Sequence, residues 1–266
     1  MSDAPLAQLE VADGIGTITI NYGKANCYSY AMMRALDDCI LAARMDTAVH
    51  AIVLTGQGEK FFCAGADIEM LQGMDPTEKY YFCLHANETI TRLEQTPKLV
   101  IAALNGHCVG GGLEVALAAD LRVARQGSYK VGLPEVKLGV LPGTGGTQRL
   151  IRQLGRARAL ELMLTGDLLS VDEAKQEGLV QAVFESEDAA GFQAAVRDYA
   201  ARFVPPQGAS LAVGLIKRAV QTGAELPFAE ALGLERELQQ RLFTSADAKE
   251  GIAANREKRA PSFSGQ

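Results

Sequence analysis

Apolar and polar positions alternate with two different periods along this chain, and the switch between them divides it. Leu6 to Val11 and Gly16 to Ile20 read as two strands around Asp13-Gly14, a hairpin turn signal. In the second, Ile18 and Ile20 alternate with Thr17 and Thr19. Ala31 to Arg44 then takes the helical period, with Met33, Leu36, Ile40 and Ala43 on one face. His50 to Thr55 and Lys98 to Leu104 are continuous apolar runs, the pattern of strands buried on both faces. Pro76 to Leu93 between them reads as a helix.

Beyond Asn105-Gly106, a glycine-rich turn opens into a short helix within VGGGLEVALAA. Asp120 to Ala124 and Tyr129 to Val131 predict two more strands. Leu133 to Gly146 is loop-like, with two prolines and four glycines. Arg156 to Leu164 predicts a helix ended by Gly166, and Ser170-Val171-Asp172-Glu173 is a capping box for the next. That helix stops at Gly178, before a strand from Leu179 to Phe184. From about residue 187 the pattern is helix after helix, broken near Pro205-Pro206, Gly223 and Thr244-Ser245. The fold class is therefore α/β, with strands and helices alternating as a weak structural repeat and a helical region at the end.

Composition narrows the function. The 266 residues are 48 % hydrophobic and 22 % charged, an ordinary globular balance that excludes disorder and can bury a good core. No run of about 18 apolar residues exists, so no membrane span is expected. The N-terminus shows neither a signal peptide nor an Arg-rich transit peptide, and a cytoplasmic location is expected. A net charge of −6 argues against nonspecific nucleic-acid binding. The cysteines Cys27, Cys39, Cys63, Cys83 and Cys108 have no C-x-x-C spacing and read as buried free thiols. No zinc site or other metal is expected, because His50, His85 and His107 lack ligand spacing. His107 is the one to watch, for its place beside the glycine turn, and packing is its plainer role.

Four stretches could carry chemistry. Phe62-Cys63-Ala64-Gly65-Ala66-Asp67 is built of small residues that let a ligand approach the backbone, or is simply a turn before a helix capped by Asp67. Gly110-Gly111-Gly112-Leu113-Glu114 points free N–H groups outward at a helix start, where an oxyanion or phosphate fits. It is neither a Walker loop nor a Rossmann fingerprint. Glu114 shares that first turn. Glu135 stands between apolar residues in Leu133 to Gly139, where desolvation would raise its pKa and let it pass a proton near neutrality. Pro142 to Arg149 is a flexible loop leading into a helix, with Arg149 read as structural.

Taken together, FCAGADI, NGHCVGGGLEVALAADLRVA and LPEVKLGVLPGTGGTQRL resemble the crotonase (enoyl-CoA hydratase/isomerase) superfamily in order and spacing. The likeness runs from the Gly16 strand to EKRAPSF. It implies a spiral of ββα repeats over 1–186 holding the active site. It also implies that the helical region 187–266 joins subunits into a homotrimer or homohexamer and completes the CoA site. The resemblance further implies a hydro-lyase that adds water across the C2=C3 bond of a 2-enoyl-CoA, with no cofactor, since CoA belongs to the substrate. Ala66 and Gly111 would form the oxyanion hole through their backbone N–H groups. Ala64, Asp67 and Ile68 would line the acyl-CoA path, and Gly143 would meet the water. Lys258 would contact CoA from a neighbouring subunit. Glu114 would act as base and Glu135 as acid, because family members that hydrate carry both glutamates.

The chain departs from the family in Asn21 to Cys27, which lacks the Arg-Pro pair that precedes the adenosine contacts, so Lys24 and Ala25 are not carried over. Asn255 stands where the family often has Phe. Tyr80 and Tyr81 are candidates for the acyl pocket, with helix packing as the plainer role. The alternatives are an enoyl-CoA isomerase, a hydratase of a cyclic or branched enoyl-CoA, an idle homologue serving as an RNA-binding or scaffold protein, and, last, a glycine-loop nucleotide enzyme.

Overall fold

The computed structural model describes residues 4–266; the first three residues of the N-terminus read above lie outside the described residues. Strands β1 (Ala7–Ala12) and β2 (Ile15–Ile20) pair antiparallel around Asp13 and Gly14. Both turn residues have positive φ, 50° and 78°, which a two-residue hairpin of this twist requires. Helix α1 (Tyr30–Met45) follows, capped by the Ser29 side chain on Met32 N.

After it the chain repeats one unit three times. A strand of a large sheet is followed by a short strand of a small sheet and then by a helix. The first unit is β3 (Ala51–Gly56), β4 (Phe61–Cys63), α2 (Ile68–Gln72) and α3 (Pro76–Glu94). The second is β5 (Leu99–Leu104), β6 (His107–Val109) and α4 (Gly111–Leu117). The third is β7 (Leu121–Arg125), β8 (Lys130–Gly132), a 3₁₀ turn at Glu135–Leu138, and helices α5 (Gly146–Leu154) and α6 (Arg156–Thr165). Then come β9 (Leu169–Ser170), α7 (Val171–Gln176), β10 (Ala182–Phe184) and four helices: α8 (Ala189–Ala201), α9 (Ser210–Gly223), α10 (Phe228–Phe243) and α11 (Ala246–Glu257). The large sheet runs β1-β2-β3-β5-β7-β10 and the small one β4-β6-β8-β9. Successive units therefore stack as turns of a spiral.

The core follows from strand period. Ile52 and Leu54, Val100, Ala102 and Leu104 face α1 and α3. Their neighbours Ala51, Val53, Leu99, Ile101 and Ala103 face Phe192, Val196 and Ala200 of α8. Both faces are covered, so the strands read as unbroken apolar runs. The passage from the large sheet to the small one is tight. A Cβ on Gly56 or Gly106 would stand 2.3 Å from backbone atoms of the Lys60–Phe62 segment. Asn105 fills the crossing: its amide donates to Gly56 O (2.8 Å) and Gly58 O (2.7 Å), and its carbonyl accepts from Gly56 N (3.1 Å). The backbone groups freed where the chain leaves its ladder are thus satisfied.

Some expectations need correction. The strand expected at Tyr129 to Val131 is β8, but β4, β6 and β9 of the small sheet escape periodicity because two or three residues hold no period. The strand expected from Leu179 is only Ala182–Phe184, since Leu179 and Val180 turn back to bond Ala174 O. The stretch after Leu133 contains a 3₁₀ turn rather than pure loop. Of the five thiols only Cys63 and Cys108 are buried; Cys27, Cys39 and Cys83 are half-buried.

Arg122 is the largest fully buried side chain. Its guanidinium donates to Leu179 O (2.7 Å) and to Ala119 O (2.8 Å) at the carbonyl end of α4. Desolvation pulls its pKa down to about 10, so it stays charged at neutral pH. Arg122→Ala would leave these buried carbonyls without donors, at about 1–3 kcal/mol each. Urea unfolding should show stability lower by about 3 kcal/mol; an unchanged midpoint would contradict this account.

Candidate active site

The site forms where two glycine-containing turns touch. Gly65, at φ 88°, bends the chain between β4 and α2, and a Cβ there would lie 2.9 Å from Gly111 N. A Cβ on Gly112 would lie 2.0 Å from Cys63 O, and one on Gly111 would lie 2.0 Å from Tyr28 Oη. No other residue type fits at 111 or 112 without moving backbone or ring. Gly110 makes the turn itself, at φ 57° and ψ −137°, a region that only glycine enters freely. This approach leaves the N–H groups of Ala66 and Gly111 side by side. Neither has an acceptor among the described residues. Gly111 is the first residue of α4, whose initial N–H groups have no intrahelical partner.

Glu114, one turn along α4, is buried, with 2 % of its surface exposed. Its Oε1 accepts from Thr144 N (2.7 Å) and Gly146 N (2.8 Å). Burial raises its pKa, and these two amides together with the nearby Arg149 charge oppose the rise. Glu135 comes from the 3₁₀ turn and folds back so that its Oε1 lies 3.2 Å from where a Gly110 Cβ would stand. Its Oε2 is buried and has no hydrogen-bond partner. Burial pushes its pKa up to about 7, with the neighbouring Glu114 charge adding to the rise. The two carboxyls, separated by 20 residues of intervening chain, thus converge on one glycine turn.

The surroundings of Glu135 differ from the sequence reading. Its flanks are not buried: Val136 and Leu138 are 40 % and 66 % exposed. Only the Glu135 side chain turns inward. Asp67 serves as the N-cap of α2, accepting from Glu69 N (2.9 Å), and Ile68 projects outward half-exposed beside it. Ala64 lies in the same turn. Gly143 sits against Cys83 of α3, whose Sγ is 3.3 Å from a Cβ built there. Arg149 is structural, as read: it pairs with Glu94 at 2.7 Å and donates to Thr144 O at 3.3 Å. His107 accepts from Lys130 N at 3.1 Å and packs between Phe61 and Tyr129, which is packing and not catalysis. Tyr80 and Tyr81 are 63 % and 61 % exposed, so neither serves the helix packing read as their plainer role. Lys258 caps α11 in the left-handed conformation, at φ 55°, and is exposed.

Of two further residues of the site, Tyr28 carries no signal in the sequence and Thr144 only that of the loop it lies in. Tyr28 and Thr144 are both buried, and their hydroxyls lie 3.1 Å apart. They are 116 positions apart in the chain, beyond any local pattern.

A family pattern described as enoyl-CoA hydratase/isomerase matches residues 10–266. This chain belongs to that family. A short-chain-enoyl-CoA hydratase of Clostridium acetobutylicum is 37 % identical, over 94 % of each chain. A crotonyl-CoA hydratase of Syntrophomonas wolfei is 36 % identical, over 96 % of each. Among solved structures, an enoyl-CoA hydratase from Geobacillus kaustophilus superposes with a TM-score of 0.93 at 42 % identity, covering 100 % of this chain and 98 % of that one. The spiral of ββα units implied by the resemblance is thus the fold of this chain. No helix of the described residues is long and apolar enough to cross a membrane.

Because Gly112 meets backbone, its substitution tests the packing that builds the site. Gly112→Ala should cost about 1–3 kcal/mol by overpacking, seen as a lower Tm. Gly73→Ala, where an added Cβ meets only Met70 O at 3.8 Å, should leave Tm unchanged. Equal Tm values for the two variants would show that the approach of the turns is loose.

Proposed function

We propose that this chain is an enoyl-CoA hydratase, a hydro-lyase acting on 2-enoyl-CoA thioesters, with Glu114 as general base and Glu135 as general acid. The observation that carries the reading is the meeting of two carboxyls of unlike environment beside two unpaired backbone N–H groups. Curated relatives named as hydratases support it.

In this reading the thioester oxygen takes hydrogen bonds from Ala66 N and Gly111 N. Preorganised donors of this kind stabilise charge that develops in the transition state. A water sits between the carboxyls, near Gly143. Glu114 removes a proton from it as the oxygen bonds to C3, and the C2=C3 electron pair moves toward the thioester as an enolate. Glu135 then gives its proton to C2 and the carbonyl reforms. Glu114 ends protonated and Glu135 ionised, and a proton passed between them restores the start. The amides on Glu114 favour its charged form, while Glu135, with an unpaired buried oxygen, keeps its proton to about pH 7. The reading routes no step through a metal or cofactor.

Ala64, Asp67 and Ile68 line the acyl-CoA path in this proposal, Asp67 by holding the turn. Residues 1–186 form the catalytic core. The helices of 187–266 associate with other copies, as a homotrimer or homohexamer, and bring Lys258 to a neighbour's CoA. Exposed apolar side chains on these helices, Val220, Phe228, Phe243 and Ile252 among them, support that association. The partners are acyl-CoA and other copies of the chain, with neither nucleic acid nor membrane, in the cytoplasm.

Glu114→Gln and Glu135→Gln should each slow crotonyl-CoA hydration by about 10²–10⁴-fold, followed by loss of the enoyl absorbance. A near-normal rate in either variant removes the role given to that residue. If the unaltered chain shifts the double bond of a 3-enoyl-CoA but does not hydrate crotonyl-CoA, it is an isomerase.

The pH profile separates the two roles. Glu135 must carry its proton for hydration, so kcat/KM should fall as pH rises through about 7. In the reverse direction Glu114 carries the proton and Glu135 is ionised, the same total protonation, so kcat/KM for dehydration should show the same alkaline limb near pH 7. The alkaline limb should vanish from the residual rate of Glu135→Gln and persist in Glu114→Gln; an alkaline limb unchanged in Glu135→Gln would contradict the assignment.

A further inference from the structure

Tyr28 is buried where the two glycine turns meet the Thr144 loop. It is 2 % exposed. Its backbone N–H donates to Gly65 O (2.9 Å) and its carbonyl accepts from Asp67 N (3.1 Å), so it brackets Ala66, one oxyanion donor. Its ring occupies the space a Gly111 Cβ would need, beneath the other donor. Phe82 stacks on it with centroids 5.9 Å apart. Its hydroxyl meets one partner, Thr144 Oγ1, at 3.1 Å. Thr144 in turn donates its N–H to Glu114 Oε1, and its side chain lies against the same carboxyl.

The direction of the hydroxyl chain follows from charge. A hydroxyl beside a buried carboxylate gains most by pointing its proton at it. Thr144 then presents its lone pairs to Tyr28, whose proton has no other acceptor. Hydrogen bonds in such a chain polarise one another, so a Tyr28 proton on Thr144 makes Thr144 a better donor to Glu114. We propose that Tyr28 is a positioning residue for the general base, acting through Thr144 to hold the Glu114 carboxylate ionised and aimed at the water. Its ring and backbone hold the two oxyanion donors in register, while its hydroxyl serves the base alone. This rests on Glu114 being the base.

The two duties separate in Tyr28→Phe, which keeps ring and backbone and removes one oxygen. Net worth of about 0.5–1.5 kcal/mol for a buried hydrogen bond corresponds to about a 2- to 12-fold change. Tyr28→Phe should lower kcat for crotonyl-CoA hydration in that range, with KM within about twofold and binding of butyryl-CoA, a saturated analogue, unchanged. The acidic limb of kcat/KM, where Glu114 must be ionised, should move to higher pH, because the carboxylate has lost support. Thr144→Val should show the same limb shift, Thr144→Ser should rescue it, and the double variant Tyr28→Phe/Thr144→Val should be no slower than Thr144→Val.

A wild-type kcat and acidic limb in Tyr28→Phe would overturn the proposal, as would effects that multiply in the double variant or a loss confined to KM. Should Tyr28→Phe not fold, the Thr144 pair decides: equal limbs in Thr144→Val and Thr144→Ser would overturn it. Failure of the underlying reading looks different, since Glu114→Gln would then hydrate normally whatever Tyr28 does.

Discussion

The site depends on one close approach of backbone to backbone. Gly112 runs so near Cys63 O that a methyl group cannot enter. This lack of space lets the start of α4 press against the turn after β4, which sets two N–H groups side by side. Two neighbouring turns of the spiral supply the surfaces, since β4 and β6 pair in parallel directly before the two turns. The donors are therefore held by sheet registration and not by a mobile loop. Donors fixed in this way need no reorganisation when charge develops, which is what makes an oxyanion hole effective.

The same contact divides two identical side chains. Glu114 grows from the helix that the glycines allow in, and its carboxyl ends beneath two amides of the Thr144–Gly146 turn. Glu135 arrives from outside, over Gly110, with one oxygen buried and unpartnered. Burial acts on both. Two amides of the Thr144–Gly146 turn oppose it for the first; for the second its own backbone N–H opposes it and the like charge of Glu114 adds to it. In the proposed mechanism these unequal environments, rather than any difference in chemistry, are what let one accept a proton and the other donate it.

Much of this was legible in the sequence because it is local or long in period. The apolar runs of β3 and β5, the α1 face and the Ser170 capping box are each written in consecutive residues. The glycines at 110–112 announce a helix start with free N–H groups. Gly65 and Gly111 become neighbours only through sheet pairing, which no single stretch encodes. Of the small sheet only β8 is legible, as the strand expected at Tyr129 to Val131; β4, β6 and β9 are two or three residues long and hold no pattern to read. The desolvation of Glu135 is legible in its apolar flanks, but its source is not: Val136 and Leu138 are exposed, and the backbone turn itself carries the carboxyl inward. The pairing of Tyr28 with Thr144 was invisible because each looks like an ordinary core or loop residue until the fold joins them.

Helix α3 braces the turn that holds the Glu114 carboxyl. Asn87 Nδ2 donates to Gly143 O (3.4 Å), and Glu94 pairs with Arg149, which also donates to Thr144 O. The turn whose amides hold Glu114 is thus fastened at both ends to one face of α3. The same helix places Cys83 beside Gly143 and stacks Phe82 on Tyr28. A displacement of α3 would reach Glu114 through two independent contacts, the ion pair and the aromatic stack. The pairing at 13 % and 32 % side-chain exposure is partly shielded from water, so it resists screening better than a surface pair would. The position of the Glu114 carboxyl is consequently not set by its own helix alone: α3 braces the turn whose amides hold it.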